Sequence, residues 1–410
     1  MTGKIIRREF LGRAAGSALV SFGAVAPSVL CRAAESSAAD QRVLVVVELA
    51  GGNDGLNCVV PHSHDVYQNS RKNLRIQKSD TLAVTSDLGL HPSLRGFSDL
   101  LESNRLAIVQ GVGYPNPNRS HFESMDIWHS CFRKDQSRDD GWIGRYMETA
   151  GLANASDPPA IHLGQDKQPF ALASRDVQAV SIRSLDQFRL AQNQSVELRA
   201  AIRQLSKNAP ARTETPNDLL SFVRQSTATA IMASDQVEQA AKSQTGSGVR
   251  YPQTQLGRQL QTVAKLIASK MQTRVYYVRL DGFDTHANQP DAHAALLRDV
   301  GDGVTALMED LGQRGDADRT LLMCFSEFGR RVAENASDGT DHGTAGPVFF
   351  AGQKLRSGLI GAMPSLVDLD QGDLKFHTDY RQVYAAVVND WLGCNANAVL
   401  GADFESVQLF

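Results

Sequence analysis

Three short apolar runs constrain this chain more than anything else in its 410 residues. They are Val43-Leu44-Val45-Val46-Val47-Glu48-Leu49, Val275-Tyr276-Tyr277-Val278 and Leu321-Leu322-Met323-Cys324-Phe325, all continuous rather than alternating. A strand that is apolar on both sides must be covered on both faces, as in a largely parallel sheet. Between the second and third runs, Ala294, Leu297, Val300, Val304, Leu307, Met308 and Leu311 recur at helical spacing, so the segment reads strand, helix, strand. A helix over residues 92–101, another strand over 106–110, a helix from Ser120 through Trp128, and two weaker strands over 159–163 and 180–182 extend the same pattern. The expected class is α/β with a mostly parallel sheet.

Polar clusters sit where these runs end: Gly51-Gly52-Asn53-Asp54, Asp284-Thr285-His286 and Ser326-Glu327-Phe328-Gly329-Arg330, with Asp341-His342-Gly343 beside a fourth apolar run. In open α/β sheets, ligand groups collect beyond the carboxyl ends of the strands. Asp284 and His286, two apart, point the same way if the chain is still extended there, so both can reach one ion. Carboxylate plus imidazole suits Zn, Mn or Fe better than Mg or Ca. Taken singly, each of these residues also fits a hydrogen-bonded turn, and Asn53-Asp54-Gly55 supplies tolerant backbone angles. Neither the dinucleotide fingerprint nor the phosphate-binding glycine loop occurs.

Ser120 opens its helix as the first residue of Ser-x-x-Glu, a capping box, and stands where backbone N–H groups favour an anion. Capping and nucleophilic attack are compatible roles for it. His121 beside it is a metal or substrate contact, or a core histidine.

Residues 1–33 read as a twin-arginine export signal: Arg7-Arg8-Glu9-Phe10-Leu11 precedes a weakly apolar stretch rich in Ala and Gly. That segment carries a net charge of +4, so the formal −3 of the chain becomes −7 without it, which argues against nucleic acid as a partner. No later run suits an integral membrane span. Four cysteines remain, too few and too scattered for a disulfide framework. Residues 184–270, rich in Gln, Ala, Ser and Arg with helical periodicity, read as a helical insertion, either a surface for an exported protein partner or a solvated layer over the sheet.

The pieces Leu49-Ala-Gly-Gly-Asn-Asp-Gly-Leu-Asn57, Asn118-Arg-Ser-His-Phe122, Gly282-Phe-Asp-Thr-His286, Phe325-Ser-Glu-Phe-Gly-Arg330 and Thr340-Asp-His-Gly-Thr-Ala-Gly-Pro347 resemble an exported bacterial family of unknown function, placed in the alkaline phosphatase and sulfatase-like superfamily. The resemblance implies a doubly wound fold with helices on both faces and a site for one or two divalent metals. Carried over by position, it makes Asp54, Asp284, His286, Glu327 and His342 metal ligands and Ser120 the nucleophile. Arg330 or Arg119 then binds the anionic oxygens. Two departures stand out: Phe328 replaces a histidine ligand, and Pro115 stands where formylglycine formation needs Cys or Ser. The implied function is an exported metal-dependent hydrolase of a phosphate or sulfate ester that does not use formylglycine. The alternative is a non-catalytic periplasmic binding or assembly protein on the same fold.

Overall fold

The computed structural model describes residues 42–155, 157–164, 166–182 and 247–410. The expected export signal and the larger part of the expected insertion lie outside the described residues. Nine strands form the central sheet: β1 (Val43–Ala50), β2 (Leu106–Gly113), β3 (Ala160–Leu163), β4 (Val180–Ile182), β5 (Val275–Asp281), β6 (Thr320–Phe325), β7 (Gly346–Ala351), β8 (Gly358–Ile360) and β9 (Thr378–Asp379). Their order is β8-β2-β7-β6-β1-β5-β3-β4, with β9 pairing to the end of β2. Only β7 runs antiparallel to its neighbours; the other pairings are parallel.

The apolar runs are central because they can be. Every residue of β1 and of β6 is buried. Along β1, Val43, Val45, Val47 and Leu49 enter one core, while Leu44 and Val46 enter the other, the alternation that pleating imposes. Helices pack against the sheet on both faces and contribute to both cores. On the first face are α1 (Arg95–Glu102), α4 (Gln255–Ala268) and α5 (Gln289–Arg314); on the second are α2 (His121–Ser130), α3 (Trp142–Thr149) and α6 (Tyr380–Ala385). The sheet is thus mixed but mostly parallel, wound on both sides.

Helix boundaries differ from the periodicity reading where local chemistry decides them. The helix expected over 294–311 runs from Gln289 to Arg314, because Pro290 fits its first turn and Gly315, at φ 74°, accepts the left-handed C-cap. The helix expected from residue 92 starts at Arg95. Ser120 is the N-cap of α2, but its side chain makes no cap bond, and Glu123 turns instead to Arg138 at 2.6 Å, so the capping box does not form. A capping box is built at α6, between Asp379 and Gln382. The helix α4 lies inside the expected insertion, yet its Leu256, Leu260, Val263 and Ile267 are core residues. That part of the stretch is structural layer rather than appendage. Cys58, Cys131, Cys324 and Cys394 are all free thiols. Among the described residues, no helix is long and apolar enough to cross a membrane.

One charged residue interrupts the core run of β1. Glu48 is fully buried and accepts from Tyr277 Oη at 2.5 Å and His129 Nε2 at 3.0 Å, with Arg279 Nε at 3.3 Å. Burial pushes its pKa up, but those partners outweigh it and hold the carboxyl below its usual range. Elsewhere burial drives His91, His162 and His293 down to about 4. These are neutral when folded and take up protons when unfolded below the ordinary histidine pKa of about 6.5. Stability therefore falls as pH drops from about 6.5 towards 4, and Glu48 adds to the loss only below about 4.3. Urea unfolding between about pH 7 and 5 should show net proton uptake; constant stability across that range would contradict these assignments.

Candidate metal centre

The loops that follow β1, β5 and β6 meet at one edge of the sheet, and a single buried side chain locks them together. Arg330 Nε donates to Gly52 O at 2.6 Å and Nη1 to Thr340 O at 2.8 Å, while Nη2 reaches Gly51 O, Phe283 O (3.0 Å) and Asp284 Oδ1 (2.7 Å). Its side chain has no exposed area. With its donors committed to the protein, Arg330 is a clamp on the site and not the substrate-binding arginine expected from the sequence. Gly51 belongs to the same junction. At φ 120°, its missing Cβ would stand 2.4 Å from Asp284 N, so the loops approach at glycine distance.

Around Asp284 three histidines converge. His121, from the start of α2, donates from Nδ1 to Glu327 at 2.8 Å. His286, two residues beyond Asp284, has Nδ1 3.3 Å from Asp341. His342 lies on a hairpin in which Arg330–Glu334 pairs with Thr340–His342, and its Nδ1 donates to Arg119 O at 2.8 Å. Each of these partners accepts, so each Nδ1 can carry a proton, and Nε2 is the ring nitrogen turned to Asp284, a donor to the carboxylate when protonated and a lone pair for an ion when not. These three Nε2 atoms lie 3.4, 3.1 and 3.0 Å from Asp284 Oδ1 for His121, His286 and His342. The Nε2 atoms of His286 and His342 are 2.9 Å apart. His121 Nε2 is buried without a hydrogen-bond partner. Imidazoles backed by acceptors at Nδ1, with Nε2 turned towards a common point, are the arrangement that metal-ligating histidines adopt.

His121, Asp284 and His342 can offer one atom each to a common ion, their ligand atoms all lying within 4.8 Å of one another. His286 adds a fourth donor at the side. Burial raises the Asp284 pKa, but hydrogen bonds from Arg330 and His342 override it and bring the carboxyl to about 2. The Glu327 hydrogen bond raises the His121 pKa.

The other residues singled out in the sequence take different places. Glu327 is buried behind His121, accepting also from Gly51 N at 3.0 Å and Ser326 Oγ at 3.0 Å; it orients the His121 ring rather than joining the cluster. Asp54 also stands apart. Its fully buried Oδ2 accepts from Arg71 Nη1 at 2.6 Å and Gln289 Nε2 at 2.6 Å. Arg71 goes on to the carbonyls of Arg331 and Val332 and to Asn57 Oδ1, a set of partners no local motif announced. Phe328, at the position expected to cost a ligand, packs its ring 5.0 Å from that of His121 and 4.9 Å from that of His342. Ser120 and Arg119 are exposed at the approach to α2, beside His121. The sequence reading left His121 open between core and ligand; its pairing with Glu327, 206 residues away, is invisible to local pattern.

A mixed α/β sheet with a cluster of imidazoles and a carboxylate beyond its strand ends is the class that fold and site define. The chain belongs to a family described as a protein of unknown function, DUF1501, whose sequence model matches residues 41–370. No curated protein sequence matches it. Solved structures similar to it include the C-terminal periplasmic domain of EcEptC from Escherichia coli in complex with Zn, at 9% identity and TM-score 0.37, covering 76% of this chain and 74% of that one. The PsFucS1 sulfatase from Pseudoalteromonas sp. has 11% identity and TM-score 0.38, covering 92% and 75%. A phosphonate monoester hydrolase from Silicibacter pomeroyi has 11% identity and TM-score 0.36, covering 89% and 75%.

Glu327→Gln should weaken divalent metal binding by about 10–100-fold, measured by competition with a chelator, while leaving the fold intact; unchanged affinity would mean that Glu327 does not orient His121. Arg71→Met should cost about 3–5 kcal/mol of stability in urea, because Asp54 is left buried without its cation.

Proposed function

We propose that this chain is an exported, metal-dependent hydrolase of a phosphate or sulfate ester. The observation that carries the reading is the convergence of three acceptor-backed imidazoles on Asp284 beside the exposed Ser120. Three ring nitrogens gathered within 3.4 Å of one carboxylate oxygen form a donor set that a divalent cation can take over from the contacts they make with Asp284. The nitrogen-rich donor set favours Zn, Mn or Fe. Such an ion, when bound, lowers the pKa of a coordinated hydroxyl or water and stabilises charge on a departing oxygen.

The chain's own groups then divide the remaining work. His121, His286 and His342 supply nitrogen ligands and Asp284 an oxygen; Glu327, Asp341 and the Arg119 carbonyl fix the ring orientations. Ser120 stands at the N-terminus of a ten-residue helix with its hydroxyl free of capping duty, where backbone N–H groups favour a tetrahedral anion. In the proposed reaction its Oγ bonds to phosphorus or sulfur as the bond to the ester oxygen breaks, the hydroxyl proton leaving to solvent and the departing oxygen gaining one to become an alcohol; water then cleaves the seryl ester, restoring the Ser120 hydroxyl and releasing phosphate or sulfate. Arg119, partly exposed on the loop before the helix, is a cation at the approach to the site, where it attracts an anionic substrate.

A second reading is a binding or assembly protein that keeps the ion without turnover. Phe328 against two of the ligand histidines and Asp54 locked to Arg71 favour it, since both reduce the groups left for a second ion. The twin-arginine signal suits either reading, because that route carries folded chains. A protein partner at residues 184–270 belongs to the second.

Elemental analysis of protein purified without chelator should give about one equivalent of transition metal, lost in Asp284→Ala/His286→Ala. Hydrolysis of 4-nitrophenyl phosphate or sulfate should fall at least about a hundredfold in Ser120→Ala, with metal content unchanged. Metal without hydrolysis of either ester would favour the binding protein; no metal, even after reconstitution, would remove the hydrolase.

A further inference from the structure

Across His342 from the candidate metal centre lies a charged arrangement with a different geometry. Asp373, its side chain 5% exposed, is flanked by Arg119 Nη1 at 3.4 Å from Oδ2 and Arg331 Nε at 3.2 Å from Oδ1. Both contacts are longer than a close charge-assisted hydrogen bond of about 2.7–2.9 Å. Arg331 Nε and Asp373 Oδ1 are buried without any hydrogen-bond partner. The two side chains remain 39% and 35% exposed, and among the described residues their guanidinium groups make one further hydrogen bond, a weak one from Arg331 Nη2 to Gln371 O at 3.4 Å. The two guanidinium groups around Asp373 keep N–H donors not bonded to it, with Asp370 within electrostatic range of Asp373 and Asp341 within range of Arg331.

The position of the pair is fixed by the site itself. His342 turns Nε2 to Asp284 and Nδ1 to the Arg119 carbonyl, so the Arg119 backbone lies at the opposite edge of the ring from Asp284, and its side chain reaches Asp373. Arg331 follows Arg330, which pairs directly opposite His342 in the hairpin. The arginines are therefore neighbours of the centre without being part of it, and a group bound at the centre is separated from them by an imidazole.

We infer that Arg119 and Arg331, held by Asp373, form a second anion-binding subsite, and that the substrate carries another anionic group beside the ester to be cut. This rests on the ester hydrolase reading for the word substrate; the subsite rests on its own residues. It places the substrate class among polyanions, such as a saccharide bearing several sulfates or phosphates, rather than among simple monoesters. Asp373 is a positioning residue: it keeps two long side chains on one side of His342 and makes their planar donors available to an oxyanion.

The test is titration calorimetry of the full chain with sucrose octasulfate and with glucose 6-sulfate, in metal-loaded and metal-stripped protein. Sucrose octasulfate should bind at least about tenfold more tightly, the scale of one charge-assisted contact, and this preference should survive metal removal. Arg119→Gln/Arg331→Gln should abolish it while leaving metal content at the wild-type level. Arg119→Lys/Arg331→Lys, which keeps the charges, should retain most of it, separating loss of the subsite from loss of the fold. A preference that persists in the glutamine variant, or its absence in the wild type, overturns the subsite. Failure of ester hydrolysis with the preference intact would instead remove the hydrolase reading and leave the subsite standing.

Discussion

The site depends on one buried guanidinium. A cation the size of Arg330 has no place in an apolar interior unless its N–H groups find acceptors, and here the acceptors come from three separated segments: the Gly51-Gly52 turn, the Phe283-Asp284 turn and Thr340 in the hairpin. Backbone carbonyls that turn loops leave without sheet partners are satisfied by the same group. Charge and loop geometry therefore specify one another, and the Asp284 carboxylate is held by the same nitrogen that holds the loop carrying it. A second buried pair, Arg71 with Asp54, extends the scheme. Through Gln289, which bonds Asp54 and accepts from Thr285 and Thr340, it braces the far side of the same loops.

This explains how much could be read from the sequence. The strands were legible because residues apolar on both faces admit few alternatives, and β1, β2, β5 and β6 each appear at their apolar runs. The polar clusters were legible as a set because they all fall at strand ends. Division of labour within the set was not. Asp54, Glu327 and Arg330 look like ligands or substrate contacts in one dimension, since acid, base and glycine at a strand end are the same letters whether they meet an ion or each other. What separates them is a partner far along the chain: Arg71 for Asp54, His121 for Glu327, a ring of carbonyls for Arg330. The failed capping box at Ser120 has the same cause, because Arg138 competes for Glu123.

Phe328 shows how a substitution can be structural on its own terms. Its buried ring packs against His121 and His342 and lies where a side chain on Gly52 would have to stand, its nearest carbon 2.3 Å from the Cβ that glycine lacks. An apolar wall on that side restricts ring rotation of two candidate ligands and keeps water from one flank of the centre, conditions under which charge interactions strengthen.

The single antiparallel strand has a consequence for how the molecule comes together. Because β7 enters the sheet from the edge where the other strands end, His342 lies just ahead of a strand that wedges between β2 and β6, while His121 follows β2 and Asp284 follows β5. His121, the Asp284–His286 pair and His342 come from three segments distant in the chain. Non-local contacts of this kind form late, after loop closure over long separations has been achieved. A metal at this centre would bind only a nearly completed sheet, so its occupancy would register that folding has finished.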